Sequence, residues 1–202
     1  MLMLGQAALT SHATTDWETP WEIYKALDKE FHFDLDPCCN LKNQKSPVGY
    51  GPHEHGAAFD GTVKKLPDGK LHFSANGLST DWDIGDNGST SVYINPPYSA
   101  GTAEGEIKKK GKDTSSLAWV MLGKDWSLKG LTVVMLIASR TETQQFQIAA
   151  KFASEIRFVY PRIAFLKNGI VPKKSPPFAN LIVVFRPERP NDGPKYSMWR
   201  RP

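Results

Sequence analysis

The sequence predicts an α/β fold, organised as a single domain around a mainly parallel β-sheet. Residues 131–137 form a run that is nearly all apolar, which is typical of a strand buried on both faces of a parallel sheet. Along the chain, segments with strand character alternate with segments of helical periodicity, as in α/β proteins. The 202 residues are enough to bury a core of this kind in one domain.

The first helix is predicted to begin at Pro20, which suits the first helical position, with Thr19 as its N-cap. Apolar residues then recur at helical spacing, at Trp21, Tyr24, Leu27 and Phe31. Residues 33–36 are predicted to form a short strand that Pro37 stops. The next stretch, 38–87, is rich in Gly, Pro, Asn and Asp, and at most one hairpin is expected there, around Pro67-Asp68-Gly69.

The second half of the chain shows a more regular pattern. We expect a strand at 91–94, a mobile Lys-rich loop at 100–116, a helix at 117–126, the buried strand at 131–137 and a helix at 143–153. Strands at 155–159 and 180–185 follow, with an extended piece at 162–166 between them. The predicted organisation is a flexible arm at 1–15, a domain at 16–187 and a basic tail at 188–202.

Composition indicates a globular protein of a reducing compartment. The hydrophobic fraction of 40% and the aromatic fraction of 11% are too high for a disordered chain. The 25 Lys and Arg exceed the 21 Asp and Glu, and the net charge of +4 suits a polyanionic partner. Cys38 and Cys39 are adjacent and cannot form a comfortable disulfide or a metal site by themselves. No apolar run is long enough to cross a membrane, so we expect a cytoplasmic protein. The five histidines show no metal-ligand spacing, and no metal is expected.

Four residues, Asn95-Pro96-Pro97-Tyr98, directly follow the predicted strand at 91–94. Two successive prolines cannot donate backbone hydrogen bonds, so the strand must end in a stiff, extended turn. The turn offers the Asn95 side-chain carbonyl and the Pro96 backbone carbonyl as fixed acceptors, with the flat ring of Tyr98 beside them. This set suits a planar group that carries an exocyclic amine. The alternative is a proline turn that only ends a strand.

The same four residues match the (Asp/Asn/Ser)-Pro-Pro-(Tyr/Phe/Trp) signature of S-adenosylmethionine-dependent amino-methyltransferases, which the chain resembles here. Further blocks make the resemblance specific, because they occur in a fixed order. They are Asp-Trp-Glu-Thr-Pro at 16–20, Phe-Asp-Leu-Asp-Pro-Cys at 33–38, Asn43 with Lys45 and Tyr50, Gly77-Leu78 with Trp82, Arg-Thr-Glu-Thr at 140–143, Arg-Ile-Ala-Phe at 162–165 and Pro-Phe-Ala at 177–179. Over roughly residues 16–185, the chain resembles the phage Dam-like family of DNA N6-adenine methyltransferases, found in phages and prophages.

The resemblance implies a Rossmann-like methyltransferase fold with helices on both faces of the sheet. It also implies an enzyme that binds S-adenosylmethionine and methylates N6 of a flipped adenine in double-stranded DNA. Carried over by position, the catalytic block is Asn95, Pro96, Pro97 and Tyr98. The residues matched to the cofactor site are Trp17, Thr19 and Pro20, at its methionine end, and Asp36 and Pro37, at the tip of the first strand.

The cofactor assignments have structural alternatives. Asp36 ends a strand, where open α/β sheets bind ligands, so its carboxylate would either hold the cofactor's ammonium or cap a turn. Trp17 would either pack on the cofactor or pin the N-terminal arm. The usual Gly-x-Gly loop is missing after Asp36, where Cys38-Cys39-Asn40 stands, and the ribose and adenine contacts therefore stay unassigned.

Several basic residues are candidates for contact with DNA. Lys108, Lys109, Lys110 and Lys112 lie shortly after the Tyr98 turn, where they would contact phosphates or form a solvated loop. Arg140 and Arg162 each follow a predicted strand, and would touch phosphate or brace the site.

Other functions stay open at this point. The Asn-Pro-Pro-Tyr motif also occurs in enzymes that methylate RNA bases or protein glutamine. A catalytically silent phage DNA-binding protein of the same fold would share much of the sequence. Intact Asn95 and Tyr98 count against the silent protein, whereas the missing glycine loop counts for it.

Overall fold

A computed structural model describes residues 17–54, 57–84, 90–98, 116–173 and 178–202. The described chain forms three helices and nine strands. In chain order they are α1 (Trp21–Phe31), β1 (Leu35–Asp36), β2 (Val48–Gly51), β3 (Val63–Lys65), β4 (Leu71–Ser74), β5 (Ser91–Ile94), α2 (Ser116–Ser127), β6 (Thr132–Ala138), α3 (Gln144–Phe152), β7 (Glu155–Tyr160), β8 (Asn180–Phe185) and β9 (Lys195–Arg200).

All nine strands belong to one sheet, in the order β3-β4-β2-β1-β5-β6-β8-β7-β9. The pairings of β1 with β2 and β5, of β2 with β4, of β5 with β6 and of β7 with β9 are parallel. Only β3 and β8 run antiparallel to their neighbours within this described sheet. The predicted α/β class with a mainly parallel sheet is therefore confirmed.

The central strands bury both faces, and helices cover each face. Val134 and Leu136 of β6 pack in one apolar cluster with Tyr24 and Leu27 of α1. The alternate residues of β6, such as Met135, belong to a second cluster that contains side chains of α2 and α3. Because successive side chains of a strand point to opposite faces, this division places α1 on one side of the sheet and α2 and α3 on the other.

The start of α1 differs from the prediction. Thr19 does not cap the helix, because its hydroxyl lies 2.6 Å from the Tyr93 hydroxyl on β5. Pro20 is the N-cap residue and no side-chain hydrogen bond caps the helix. Trp21, expected on the buried face, is 41% exposed, and the buried face is formed by Ile23, Tyr24, Leu27 and Phe31. The Thr19 hydroxyl, predicted to cap the helix, thus forms a hydrogen bond with Tyr93, a buried residue 74 positions away.

The stretch 38–87 contains more regular structure than predicted. The expected hairpin is present as β3 and β4, with Gly69 at a φ of +89° in its turn. The strand β2 was not predicted, because a Val-Gly-Tyr-Gly sequence carries little strand signal. It nevertheless pairs with β1 and β4 inside the sheet.

Two other segments also differ from expectation. In place of an extended piece at 162–166, only Leu166 pairs, in an isolated bridge with Glu18. The segment 188–202, expected as a basic tail, contributes the edge strand β9, which pairs with β7. The predicted arm at 1–15 and residues 100–115 of the predicted loop lie outside the described residues.

Candidate active site

A cleft of about 650 Å³ opens at the carboxyl ends of β1, β2 and β5. These three strands are neighbours and parallel, so the residues that follow them meet at one edge of the sheet. The residues predicted to form the site contribute Trp17, Thr19, Asp36, Pro37, Asn95 and Pro97 to its wall. Segments far apart in the sequence are thus brought together around one space.

Asn95 is held in one orientation on the wall of the cleft. Its side-chain amide nitrogen donates a hydrogen bond of 2.7 Å to the backbone carbonyl of Trp17. The Oδ1 atom of Asn95 is buried and accepts no hydrogen bond from the described residues. A buried acceptor without a partner is costly in a folded protein, which makes Oδ1 a strong candidate for contact with a ligand.

The turn after Asn95 is braced from the next helix. The hydroxyl of Ser116, at the start of α2, donates a hydrogen bond to the carbonyl of Pro97. Pro96 is buried, and no described residue donates a hydrogen bond to its carbonyl. The two acceptors expected from sequence, Asn95 Oδ1 and the Pro96 carbonyl, are therefore both without a partner among the described residues.

Asp36 lies at the tip of β1 and is only 3% exposed. Its Oδ1 accepts a hydrogen bond from the backbone N–H of Cys38, and its Oδ2 one from that of Lys45, each at 3.3 Å. Burial raises the pKa of Asp36 to about 7, although these N–H groups and the nearby Lys45 and Lys70 charges oppose the shift. The Asp36 side chain thus organises the loop after β1 and lies poorly solvated on the wall of the cleft.

The N-terminal segment closes one side of the cleft. Glu18 exchanges two backbone hydrogen bonds of 2.9 Å with Leu166. Thr19 reaches the hydroxyl of Tyr93, whose pKa is raised by burial. Trp17 leaves its indole Nε1 buried and without a described acceptor. Pro20 is buried behind this segment and does not line the cleft.

Two glycines support the loop after β1, a role that was not predicted from the sequence, although Gly77 belongs to one of the ordered blocks. A Cβ added to Gly51, at the end of β2, would overlap the carbonyl oxygen of Cys39. A Cβ added to Gly77 would overlap the carbonyl oxygen of Pro37. The loop after Asp36 has no glycine of its own. Gly51 and Gly77, in neighbouring segments, lack a Cβ and therefore let their backbones approach this loop closely.

Tyr98 lies next to the cleft without lining it. Its hydroxyl donates a hydrogen bond of 3.2 Å to the Leu136 carbonyl of β6. Its ring meets those of Phe165 and Phe178 at 5.6 and 5.1 Å between centroids, both in edge-to-face geometry. Phe165 and Phe178, which belong to two of the ordered sequence blocks, therefore converge on the motif tyrosine.

The predicted DNA contacts are only partly described. The Arg140 guanidinium lies 5.6 Å from the centre of the Phe178 ring, at the carboxyl end of β6 beside Tyr98. Arg162 is exposed, and no described residue forms an ion pair with it. Lys108, Lys109, Lys110 and Lys112 lie outside the described residues.

Other chemistry has little support near the cleft. Burial raises the pKa of the Cys38 and Cys39 thiols well above the ordinary value, and neither therefore forms a ready nucleophile. Within the described ranges, no group of three or more His, Cys, Asp or Glu side chains is arranged to hold a metal ion. None of the helices in the same ranges has the length and apolar content needed to span a bilayer.

Comparison with known protein families identifies the family of the chain. Residues 70–198 match the family described as DNA N-6-adenine-methyltransferase (Dam), which confirms the family suggested by the ordered sequence blocks. The matched stretch includes Asn95 to Tyr98, whereas Trp17, Thr19 and Asp36 precede it. No curated protein sequence matches the chain. Because the family match covers more than half of the sequence, the chain belongs to the DNA N-6-adenine-methyltransferase (Dam) family.

Proposed function

We propose that the protein is a site-specific DNA methyltransferase with a Rossmann-like fold, which transfers a methyl group from S-adenosylmethionine to N6 of a flipped adenine in duplex DNA. One observation carries this proposal. The buried Oδ1 of Asn95 has no partner among the described residues, and the bond from its amide nitrogen to Trp17 fixes it on the cleft wall. A rigid acceptor of this kind is suited to the proton of an amine.

The proposed catalytic block is Asn95, Pro96, Pro97 and Tyr98. Asn95 Oδ1 and the Pro96 carbonyl each accept one proton of the adenine amine. Both hydrogen bonds draw the amine's electron pair away from the ring and towards its nitrogen. Because the Trp17 and Ser116 hydrogen bonds hold the turn in place, the acceptors need little rearrangement when the base arrives.

The chemistry of the cleft fits the proposed cofactor. When bound, S-adenosylmethionine supplies a methyl group on a positively charged sulfur, which a nitrogen nucleophile can take. Asp36 is a buried carboxyl group on the same wall, and its ionised form suits the ammonium of the amino-acid end. Trp17 and Thr19 would close over this end, Pro37 would lie beneath it, and Pro20 would hold the Thr19 segment from behind.

The target base must leave the duplex before it can reach the cleft. Extruding a base costs a few kcal/mol of stacking and pairing, part of which an aromatic ring can return. Tyr98 is proposed as this ring, since it is half-buried beside the cleft and anchored by its hydroxyl. Arg140, Arg162 and the lysines at 108, 109, 110 and 112 are proposed to contact the DNA phosphates.

The test is to express the protein in a host that lacks adenine methylation and to map modified bases in its DNA. We expect N6-methyladenine at one recurring short sequence, and none with Asn95→Ala produced at the same level. Methyl groups found only on RNA or on protein glutamine would show that this molecule, and not DNA, is the substrate. Binding of DNA without any methyl transfer by the wild-type protein would instead support the silent DNA-binding function.

A further inference from the structure

A buried lysine, Lys45, lies on the wall of the cleft. Only 6% of the residue is exposed, yet no ion pair joins its ammonium to a carboxylate among the described residues. The ammonium nitrogen lies 4.2 Å from the centre of the Trp21 ring. A cation–π contact compensates only part of the lost hydration, so the amine is suited to an anionic ligand.

The neighbouring lysine provides a contrast. Lys70 also approaches Trp21, with its nitrogen 4.8 Å from the ring centre. Its charge is paired with Asp68, at 2.7 Å between nitrogen and oxygen. Lys70 does not line the cleft, whereas Lys45 does. Of the two lysines at this tryptophan, the one facing the cleft is therefore the one without an ion-pair partner.

Lys45 is tied to Asp36 through its main chain. The backbone N–H of Lys45 donates to Asp36 Oδ2 at 3.3 Å, so the two residues keep a fixed relation at the carboxyl edge of the sheet. Their side chains are not ion-paired with each other among the described contacts. Burial lowers the pKa of Lys45, and the charges of Glu18 and Asp36 oppose that shift. The wall therefore presents a buried amine and a buried carboxyl group side by side.

We propose that Lys45 binds the carboxylate of the amino-acid end of S-adenosylmethionine, next to the ammonium that Asp36 receives. A zwitterion carries these two charges on one carbon, and a matched pair of side chains recognises both without leaving a net buried charge. Lys45 would therefore recognise the carboxylate group itself, in addition to attracting negative charge in general. This inference rests on the proposed function, because it assigns a further residue to the same cofactor.

The experiment compares two ligands by calorimetry on the purified full chain without DNA. One is S-adenosylmethionine, and the other is its decarboxylated form, which keeps the ammonium and the sulfonium but lacks the carboxylate. The wild-type protein should bind the first ligand about tenfold more tightly or better, because hydrogen bonds to charged groups have this strength. In Lys45→Met the two dissociation constants should agree within about twofold. Lys70→Met, the matched control, should keep the wild-type preference.

Each outcome has a distinct meaning. A wild-type protein that binds both ligands equally overturns the role of Lys45 whatever the variants do, and leaves the proposed function intact. A Lys45→Met variant that keeps the preference also overturns it, because the carboxylate is then held elsewhere. Failure of the wild-type protein to bind S-adenosylmethionine at all overturns the proposed function itself. Lys45→Arg, which keeps the charge, should retain part of the preference and provides the test if Lys45→Met does not fold.

Discussion

Asn95 and Trp17 are joined by a hydrogen bond of 2.7 Å although 78 residues separate them. The bond runs from the asparagine side chain to the tryptophan backbone, so it depends on the position of the N-terminal segment and not on the indole ring. It uses the donor end of the Asn95 amide and leaves the acceptor end for a ligand. The N-terminal segment therefore takes part in orienting the motif, as well as in closing the cleft.

We expect Asn95→Ala to reduce methyl transfer far more than cofactor binding. The lost acceptor matters most when charge shifts towards the amine nitrogen, so turnover should fall to less than a tenth, a cost of about 1.4 kcal/mol or more. Calorimetry should show S-adenosylmethionine affinity unchanged within about twofold. The exposed Asn191→Ala is the matched control. A variant that retains more than a tenth of wild-type turnover would remove Asn95 from this role.

The buried carboxylate of Asp36 should make stability depend on pH. Its pKa is raised from 3.8 to about 7, so between these values the folded protein keeps a proton that the unfolded chain has released. The free energy of unfolding should therefore fall as pH rises through this window and level off above it. Asp36→Asn should flatten this part of the profile in urea denaturation, whereas the exposed Asp192→Asn should not. Parallel profiles for wild type and Asp36→Asn would contradict the assignment.

The same carboxylate should set the pH dependence of cofactor binding. Only the ionised form attracts an ammonium, so wild-type affinity for S-adenosylmethionine should rise as pH increases through about 7. Asp36→Asn should bind more weakly and lose this dependence, while DNA binding without cofactor stays near the wild-type level. Unchanged cofactor affinity in a folded Asp36→Asn variant would leave Asp36 with only its structural role in the loop.

Gly51→Ala should displace the loop that follows β1. The added Cβ would overlap the Cys39 carbonyl oxygen, and overpacking against backbone costs about 2 kcal/mol or more. Cofactor affinity should fall together with thermal stability. Gly61→Ala is the comparison, because nothing lies within 4 Å of its added Cβ although its φ is +75°. Because Gly51, unlike Gly61, lies outside the left-handed region, unchanged stability and cofactor affinity in Gly51→Ala would contradict the predicted overlap with Cys39.

The Lys108, Lys109, Lys110 and Lys112 cluster remains a prediction from sequence. Replacing all four by Ala should weaken binding to every duplex alike and reduce the slope of log affinity against log salt by about 0.9 for each true phosphate contact. The methylated sequence should stay the same.

The control for this cluster removes four exposed lysines from other elements, namely Lys25, Lys29, Lys151 and Lys195. An unchanged salt slope in the test variant would indicate a solvated loop. A change in the methylated sequence would make the cluster a reader of bases.

Local patterns were sufficient for the central part of the fold. The apolar run of β6 and the proline stop after β5 are properties of neighbouring residues, and both appear in the structure as predicted. The strands β2 and β9 were missed for the opposite reason. Glycines weaken the signal of β2, and the basic residues at both ends of β9 obscure its strand character, so the pairing partners of β2 and β9 decide their structure.

The candidate site also combines features that local sequence predicts with features that depend on distant residues. The motif at Asn95 and the strand-end position of Asp36 can be recognised from short stretches of sequence. The Thr19–Tyr93 and Trp17–Asn95 hydrogen bonds join residues more than 70 positions apart. They cannot be predicted from short stretches of sequence. Lys45 belongs to one of the ordered sequence blocks, but the sequence assigns it no role, and its burial on the wall of the cleft appears only in the structure.

The hydrogen bond from Ser116 to Pro97 has a consequence for how the chain can vary in length at this point. It joins the two residues that flank the interval 98–115, so both ends of this interval are fastened to the same point beside the catalytic turn. The entropic cost of closing a flexible interval grows only slowly with its length, by about 0.6 kcal/mol for each doubling. A change in the length of the segment that follows Tyr98 should therefore cost little, while the Ser116–Pro97 bond keeps the turn and Asn95 in position.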